Sequence, residues 1–469
     1  MEEHNNHLDE SFRDHISTVD ADGKRVWVYP KKPKGFFTTA RNYVSYVFLL
    51  LFIAIPFIRI KGDPLILLNV IERKFILFGI IFWPQDFHLF LLAMIAFIVF
   101  IVLFTVVYGR VFCGWACPQT IFMEMVFRKI EYWIEGDYRS QMALDKAPLS
   151  VNKFFKKLAK HTIFLSFSFF ISNLFLTYII GTDEWWKVVS DNPVNHIGGL
   201  VSIVVFTFVF YGVFARFREQ VCTTVCPYGR LQGVMLDKNS INVAYDYVRG
   251  EIRGFLKRGE DREAEGKGDC IDCHQCVVVC PTGIDIRNGV QMECINCTMC
   301  MDECDSIMLK INKPKGLIRY VSEEGIRNRT GFIWTKKVIS YTIILVVLVV
   351  ALVVLLATRP DVETTILRTP GMLYQSQGND KYSNLYNFKI INKTRDTIPI
   401  RFEITSHAGE IKLVGQIPVI VPNALSEGAL FIVLDQKDIT KIKTPITIGV
   451  FEGNEMIDEV STSFVGPVK

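Results

Sequence analysis

The chain has 469 residues, of which 50% are hydrophobic, and a formal net charge of only +4. This length suggests more than one domain, and the small net charge gives no indication of nucleic acid as a partner. Its 12 cysteines occur in a chain with long apolar runs, which excludes a short secreted disulfide scaffold and favours a metal framework.

Five apolar stretches are long enough to cross a bilayer, which takes about 20 residues of helix. They lie at residues 42–60, 88–108, 162–180, 197–215 and 338–357. No cleavable signal peptide is predicted, because the first 22 residues are polar and charged. We therefore predict a membrane α-helical protein with five transmembrane helices, four of them within residues 42–215 and the fifth at 338–357.

Lysine and arginine residues set the predicted orientation, because they collect in cytoplasmic loops. They are frequent before the first stretch and after the second, and they include Arg41, Arg110, Arg128 and Lys160. The loop between the third and fourth stretches has only Lys187, and its Trp185 and Trp186 are expected at the outer interface. We expect segments 1–41 and 216–337 in the cytoplasm and residues 358–469 on the outer side of the membrane.

The connector at residues 61–87 does not fit this orientation well. It carries Lys61, Arg73 and Lys74, followed by the apolar run Phe75–Trp83. The run is too short to span a bilayer. We interpret it as an interfacial or re-entrant segment, since a crossing here would invert the predicted location of the tail.

Eight cysteines form two runs with ferredoxin spacing, Cys270-x2-Cys273-x2-Cys276-x3-Cys280-Pro281 and Cys294-x2-Cys297-x2-Cys300-x3-Cys304. In such runs three thiolates bind one cluster and the fourth binds the other. We predict a bacterial-type ferredoxin domain at about residues 262–314 with two [4Fe–4S] clusters. Their predicted ligands are Cys270, Cys273, Cys276 and Cys304 for one, and Cys294, Cys297, Cys300 and Cys280 for the other. Asp305 replaces the proline that usually follows the second run.

Zinc and haem are the alternative metal groups for these cysteines. Zinc needs four ligands per site and explains neither the three-residue final gap nor its duplication. The sequence from Cys270 to His274 also matches the C-x-x-C-H pattern of haem attachment. A haem there would leave Cys276 and Cys280 without a role, in a segment that is predicted to be cytoplasmic.

The other four cysteines form two C-x3-C-P motifs, Cys113 to Pro118 and Cys222 to Pro227, which are 109 residues apart. Each follows a predicted transmembrane helix, the second and the fourth. Two cysteines at i and i+4 are expected to share one helical face. We predict that Cys113, Cys117, Cys222 and Cys226 converge as a copper or redox site, because soft thiolates select Cu(I) or an iron–sulfur centre. A further cluster, zinc or simple buried cysteines are the alternatives.

The tail has the alternating pattern of β-strands. Such runs occur at residues 385–391, 398–404, 430–434 and 446–451, with turn residues between them. Several short strands at this spacing predict an all-β sandwich. The tail has no cysteine, so we expect neither disulfides nor a cysteine metal site in it.

Weaker candidates for metal or quinone contacts are single histidines and methionines. They are His4, His7, His15, His196, Met123 and Met125. We interpret the first three as part of a solvated segment, His196 as structural, and the methionines as core or lipid packing.

With these residues placed, the chain resembles the FixG/RdxA/CcoG family of cytochrome c oxidase accessory proteins, which are membrane polyferredoxins. The resemblance covers nearly the whole chain and includes Trp83 to Asp86 and Tyr386 to Thr394. It implies an immunoglobulin-like fold for the tail and a role in assembling cbb3-type oxidase by reducing Cu(II) to Cu(I). It also implies a location in the bacterial inner membrane, with the tail in the periplasm. The implied partners are oxidase subunits or copper-delivery proteins and a cytoplasmic electron donor, with a homodimer left open.

The leading hypothesis is therefore a membrane cupric reductase. In it, electrons pass from the donor through the two clusters to copper near the C-x3-C-P cysteines. One alternative is a quinol-linked membrane ferredoxin that feeds a periplasmic reductase. Another is a non-catalytic scaffold for oxidase assembly, whose clusters stabilise the protein or sense redox state.

Overall fold

The computed structural model describes residues 17–467, except 21, 61, 71–73, 84–85, 258–259, 263, 379, 395, 416–418 and 423. His4, His7 and His15 lie outside the described residues, as do Pro84 and Gln85 of the Trp83–Asp86 motif. The chain divides into two units, Met1–Leu352 and Val353–Lys469.

Within the described residues, five helices are long and apolar enough to cross a membrane, as the sequence predicts. They are Phe36–Phe57, Phe87–Tyr108, Val151–Ile180, Pro193–Phe217 and Lys336–Ala357. The third begins well before the apolar stretch because the Ser150 hydroxyl caps it, accepting a hydrogen bond from the Lys153 N–H at 3.2 Å. Most apolar side chains on these helices face outward, as lipid contact requires.

The connector after the first helix folds as strands. Strands β1 (Arg59–Ile60) and β2 (Asp63–Pro64) pair with each other, and β3 (Ile66–Asn69), β4 (Lys74–Leu77) and β5 (Ile80–Phe82) form an antiparallel sheet in that order. Ile76 and Ile81 pair across the β4–β5 hairpin and are both buried. The apolar run therefore forms a hairpin with its own small core, and its described residues contain no spanning helix.

Short helical pieces follow the second and fourth spanning helices. They are Val111–Trp115, Pro118–Thr120, the π-helix Ile121–Phe127, Arg128–Ile134 and Tyr138–Lys146 after the second, and the π-turn Val221–Val225 and Pro227–Met235 after the fourth. Helix Thr182–Ser190 links the third and fourth spanning helices. Phe127 is fully buried, stacks on Phe214 at 4.7 Å and meets Phe164 edge-on at 4.7 Å. These rings pack the pieces against the third and fourth spanning helices.

The ferredoxin segment is closed by a two-stranded antiparallel sheet of β6 (Asn242–Tyr245) and β7 (Ile318–Val321). Between and after them lie helices Tyr247–Gly250, Gln275–Val278, Met299–Lys310 and Glu323–Asn328. Tyr245, Ile284 and Met308 belong to one buried cluster that also includes the cysteine loops. The folded segment is therefore wider than residues 262–314, because its first and last strands pair across the whole motif.

The second unit contains two antiparallel sheets. Its strands are β8 (Val362–Arg368), β9 (Gln375–Gly378), β10 (Lys381–Asn392), β11 (Ile398–Ile404), β12 (Gly409–Val414), β13 (Val419–Ile420), β14 (Leu425–Asp435), β15 (Lys443–Glu452) and β16 (Glu455–Val465). One sheet has the order β12-β14-β10-β8, with β9 on β10, and the other has β13-β11-β15-β16. Their alternating apolar residues form one shared core. The predicted all-β sandwich is confirmed.

Candidate metal centres

Each ferredoxin run begins in a loop with two residues in the left-handed backbone conformation. Asp272 and His274 have φ of 54° and 55°, and Asn296 and Thr298, at the equivalent positions of the second run, have 53° and 65°. Asp, Asn and His adopt this conformation more readily than most residues. The two loops therefore fold alike around the second cysteine of each run.

The two runs end differently. Helix Gln275–Val278 stops just before Cys280 and Pro281, whereas helix Met299–Lys310 continues through Cys304 and Asp305. A proline at 305 would break this helix, but aspartate has an N–H and permits it. The Asp305 carboxylate also accepts a hydrogen bond from the Gly316 N–H at 2.9 Å. The departure from the usual pattern thus gives Cys304 a helical position.

Two small cavities lie between the runs. Cys270, Cys273, Cys276 and Cys304 line the first. Cys280, Cys294, Cys297 and Cys300 line the second, and Cys276 borders it as well. The structure thus brings together the four members of each predicted ligand set, and the two cavities share a wall at Cys276.

The cavity thiols are poorly solvated. Burial raises the pKa of Cys276 and Cys294 to about 12 and that of Cys297 to about 11. Thiols of this kind become thiolates when a metal supplies positive charge. Among the described residues, no three or more His, Cys, Asp or Glu side chains are grouped closely enough for a single metal ion.

The two C-x3-C-P motifs share a local geometry, but it differs from the predicted one. Cys113 lies in helix Val111–Trp115, whereas Cys117 is extended, with φ −64° and ψ 125°, and precedes the next helix. Cys226 is likewise extended, with φ −68° and ψ 113°. The predicted shared helical face is therefore wrong. The cause is the proline after each second cysteine, which starts a new helix and biases the preceding residue away from the helical conformation.

The four cysteines Cys113, Cys117, Cys222 and Cys226, here called the thiol site, nevertheless converge. Burial and the charge of Cys117 raise the pKa of Cys113 to about 11. Burial and the charges of the other three raise the pKa of Cys222 to about 12. These charges act between the two motifs, from Cys226 on Cys113 and from Cys113 and Cys117 on Cys222, so the two motifs lie close together.

Helix Pro227–Met235, which begins at the proline of the second motif, packs against the end of the second spanning helix. The Thr105 and Tyr228 hydroxyls lie 2.9 Å apart, and the Cys113 thiol donates a hydrogen bond to the Gln232 side-chain oxygen at 3.3 Å. Gln232 is fully buried. The sequence offers no direct signal for this contact, because Gln232 follows the motif in an ordinary helical pattern.

The thiol site lies directly beside the second cavity. Cys113 and Cys222 pack in the same apolar cluster as Cys297 and Cys300. A side-chain carbon added at Gly114 would lie 2.5 Å from the Ile295 carbonyl oxygen. The first C-x3-C-P motif and the second ferredoxin loop are therefore in backbone contact.

Buried ion pairs connect the segments that flank the two C-x3-C-P motifs. Arg218, just before the second motif, donates two hydrogen bonds of 2.8 Å to Glu131, which follows the first. The Arg128 guanidinium lies 3.0 Å from Glu124 as an ion pair, without an aligned hydrogen bond. Sequence reasoning missed this framework, although the i, i+4 spacing of Glu124 and Arg128 is a signal for it.

The weaker candidates have ordinary partners. His196 pairs with Asp191 at 3.0 Å on an exposed surface. Met123 and Met125 are buried, and Met123 packs with Phe122 and Phe127. Met123 also borders a small cavity that Cys222 lines.

Three family models match the chain. A 4Fe-4S dicluster domain matches residues 217–323, and a 4Fe-4S binding domain matches residues 90–138, which contain Cys113 and Cys117. A model described as an IG-like fold at the C-terminal of FixG matches residues 352–467. A chain with five apolar helices and these domains is a membrane iron–sulfur electron-transfer protein.

Curated relatives extend the match to most of the chain. RdxB and RdxA of Cereibacter sphaeroides are 35% identical over 406 residues and 33% over 403, and each match covers 82% of this chain and 83% of the relative. FixG of Rhizobium meliloti is 38% identical over 308 residues, covering 64% of this chain and 58% of FixG. A FixG-related protein from Vibrio parahaemolyticus has a solved structure that covers 22% of this chain and 95% of its own, with 19% identity and a TM-score of 0.20. The chain belongs to the FixG/RdxA family.

Proposed function

We propose that the two cavities hold [4Fe–4S] clusters. The outer cluster would be bound by Cys270, Cys273, Cys276 and Cys304, and the inner cluster by Cys280, Cys294, Cys297 and Cys300. A bound cluster of this type accepts and donates one electron at a time. The protein supplies buried thiols, two matching loops and a shared wall at Cys276, which supports rapid exchange between the two centres.

We propose further that electrons leave through the thiol site. The observation that carries this step is the packing of Cys113 and Cys222 against Cys297 and Cys300 in one apolar cluster. Water is largely excluded from such a contact, and the atoms between the two sites are fixed by buried packing. The thiol site is therefore a candidate acceptor for an electron from the inner cluster.

The proposed substrate of the thiol site is Cu(II), which takes up one electron and leaves as Cu(I). Thiolates are soft ligands and bind Cu(I) in preference to Cu(II), so the site stabilises the product of the reduction. The product would supply the assembly of a cbb3-type haem–copper oxidase. This assignment supports a cupric reductase, with the ferredoxin segment on the cytoplasmic face of the inner membrane and the C-terminal domain in the periplasm, as the Lys and Arg distribution favours.

A third iron–sulfur cluster at the thiol site is the second candidate. It is favoured by the match of a 4Fe-4S binding domain to residues 90–138, which contain Cys113 and Cys117. In that case the thiol site would be a relay within the protein, and copper would be reduced elsewhere or not at all.

Metal analysis with copper reduction separates these possibilities. Anaerobically purified wild-type protein is compared with the double variant Cys113→Ala, Cys117→Ala. Thr224→Ala, between the two cysteines of the second motif, is the control. The proposal predicts about eight iron atoms per chain in all three proteins, four per cluster. It also predicts that Cu(II) reduction is lost in the cysteine variant alone. About twelve iron atoms in the wild type, falling to about eight in the variant, would instead establish a third cluster.

A further inference from the structure

Two arginines are buried beside the inner-cluster cysteines without a carboxylate partner. Arg41 is 1% exposed and Arg110 is 4% exposed. No carboxylate in the described part of the chain forms an ion pair with either guanidinium. Other buried arginines nearby are compensated, since Arg218 lies 2.8 Å from Glu131 and Arg128 lies 3.0 Å from Glu124.

The hydrogen bonds of Arg41 and Arg110 go to neutral groups. Arg41 donates to the Cys297 carbonyl oxygen at 3.0 Å, and its Nε and Nη2 have no hydrogen-bond partner. Arg110 donates to the carbonyl oxygens of Gly229, at 2.6 Å, and Met292, and its Nε has none. A buried charge without an opposite charge is strongly unfavourable, so these residues imply an anion in their surroundings.

Both positive charges act on cysteines of the second cavity. Burial raises the pKa of Cys297, and the Arg41 charge works against that rise. Burial likewise raises the pKa of Cys294 and of Cys113, and the Arg110 charge opposes both. Arg41 lies in the first spanning helix and Arg110 just after the second, so the two cations approach from separate elements.

The acids near this region are already engaged. Glu124, whose charge also acts on Cys297, is paired with Arg128. Asp302 accepts hydrogen bonds from the N–H groups of Phe37 and Thr38, at 3.0 and 2.7 Å, at the start of the first spanning helix. The positive charge of Arg41 and Arg110 is therefore not cancelled by a direct partner.

The outer-cluster cavity is different. Two buried arginines lie beside it. Arg287 binds the Asp285 carboxylate, with Nε–Oδ1 at 2.8 Å, and also contacts the Asp272 carboxylate. Arg262 donates to the Cys270 carbonyl oxygen at 3.1 Å, and its three guanidinium nitrogens all bond carbonyl oxygens. Two carboxylates thus balance Arg287, and Arg262 leaves no guanidinium nitrogen without a hydrogen-bond partner, unlike Arg41 and Arg110. The two cavities have matching cysteine loops but unequal electrostatic surroundings.

We infer that Arg41 and Arg110 are the counter-charges of the inner cluster and raise its reduction potential above that of the outer cluster. A cluster held by four thiolates is an anion, and it becomes more negative when it gains an electron. Adjacent cations therefore stabilise the reduced form, and net charge is one of the factors that set these potentials. Electrons then favour the cluster next to the thiol site. This inference rests on the proposed cluster ligands and not on copper as the substrate.

The test is an EPR-monitored redox titration of the anaerobically purified full chain, without copper. Arg41→Gln and Arg110→Gln are each expected to lower the midpoint potential of the same one of the two clusters. At a fixed potential, its ratio of reduced to oxidised form should fall about tenfold, which is 59 mV for a one-electron couple. Arg41→Lys keeps the charge and should stay near the wild type.

Unchanged midpoints in both glutamine variants, with two cluster signals present, would overturn the inference and leave the cluster ligands intact. Equal shifts of both clusters, or the same shift in Arg41→Lys as in Arg41→Gln, would also overturn it. If Arg41→Gln loses one cluster, Arg41→Lys decides, because retention in the lysine variant supports a charge requirement and loss in both contradicts it. Absence of two cubane signals in the wild type would refute the cluster assignment itself.

Discussion

The Trp115 indole N–H donates a hydrogen bond to the Tyr320 hydroxyl at 2.9 Å, and this hydroxyl donates in turn to the Asn296 carbonyl oxygen at 3.2 Å. Trp115 lies inside the first C-x3-C-P motif, and Asn296 lies inside the second ferredoxin run. One tyrosine on β7 therefore links the thiol site to the inner-cluster loop. This link and the contact at Gly114 make the two sites a single packed unit.

Replacing Tyr320 by Phe should loosen this unit. The variant loses both hydrogen bonds and leaves the Trp115 N–H unpaired, which should lower the free energy of unfolding by about 1–3 kcal/mol. We expect the iron content to be retained and Cu(II) reduction to slow. Tyr247→Phe is the control, because its hydroxyl bonds an exposed glutamate, Glu323, at 3.2 Å. Equal stability and rate in both variants would contradict the proposed link.

Replacing Gly114 by Ala should separate the two loops. The added carbon would lie 2.5 Å from the Ile295 carbonyl oxygen and 2.7 Å from the Asn296 carbonyl oxygen, and backbone atoms have little room to move. We expect a less stable protein and a slower electron transfer to the thiol site, measured by thermal unfolding and by Cu(II) reduction. Gly212→Ala lies in the fourth spanning helix, where the added carbon has no atom from another part of the structure within 4 Å. It should be neutral or stabilising by up to about 1 kcal/mol. Similar behaviour of the two variants would argue against the close contact.

A proline at position 305 should damage the outer cluster, although proline is usual after such a run. Here helix Met299–Lys310 continues through Asp305, so Asp305→Pro removes a helical hydrogen bond and introduces a clash, at a cost of about 3 kcal/mol or more. We expect loss of one of the two cluster signals in EPR. Asp305→Asn keeps an acceptor for the Gly316 N–H and should retain both clusters. Two normal signals in Asp305→Pro would show that Cys304 does not need its helical position.

The buried Glu131 should make stability depend on pH. Burial by itself raises the pKa of Glu131, but the charges of Arg218, Lys160 and Arg128 together outweigh it and hold the pKa below its usual value. The folded state therefore binds fewer protons than the unfolded state near the usual glutamate pKa. The stabilisation is present above that value and is lost as the pH falls through the lowered one.

Thermal unfolding in detergent between about pH 7 and about pH 4 checks this. Glu131→Gln should lower stability at neutral pH by about 3–5 kcal/mol, because it leaves a buried guanidinium without its carboxylate, and should flatten the acid dependence. Glu184→Gln, which affects an exposed pair with Lys187, should change little. An unchanged acid dependence in Glu131→Gln would exclude this carboxylate as the origin.

Local patterns predicted much of the fold and of the site. The apolar stretches gave the five spanning helices, the alternating runs gave strands such as β11 and β15, and the ferredoxin spacing grouped the cysteines that line each cavity. In each case, the pattern is contained in a short stretch of the sequence. The helical face expected for Cys113 and Cys117 failed at the same scale, because the following proline outweighs the i, i+4 spacing.

Long-range burial could not be predicted in this way. The sequence counts Arg41, Arg110, Arg128 and Lys160 as signals of orientation, yet all four are buried. Arg41 contacts the Cys297 carbonyl across 256 residues of chain, and no periodicity within the first helix indicates that partner. The contact between Tyr320 and Trp115 spans 205 residues and is equally invisible to local patterns. The residues that join the thiol site to the inner-cluster cavity therefore emerged only from the fold.

The central claim is that electrons pass from the clusters to the thiol site. Its most direct test is to reduce the purified protein anaerobically, remove the reductant, mix it with Cu(II) and follow reoxidation of the clusters in a stopped-flow spectrometer. We predict that wild-type clusters reoxidise with formation of about two Cu(I) per chain, one electron from each cluster. In Cys113→Ala with Cys117→Ala, the clusters should stay reduced. Reoxidation of the variant at the wild-type rate, with both clusters intact, would contradict the account.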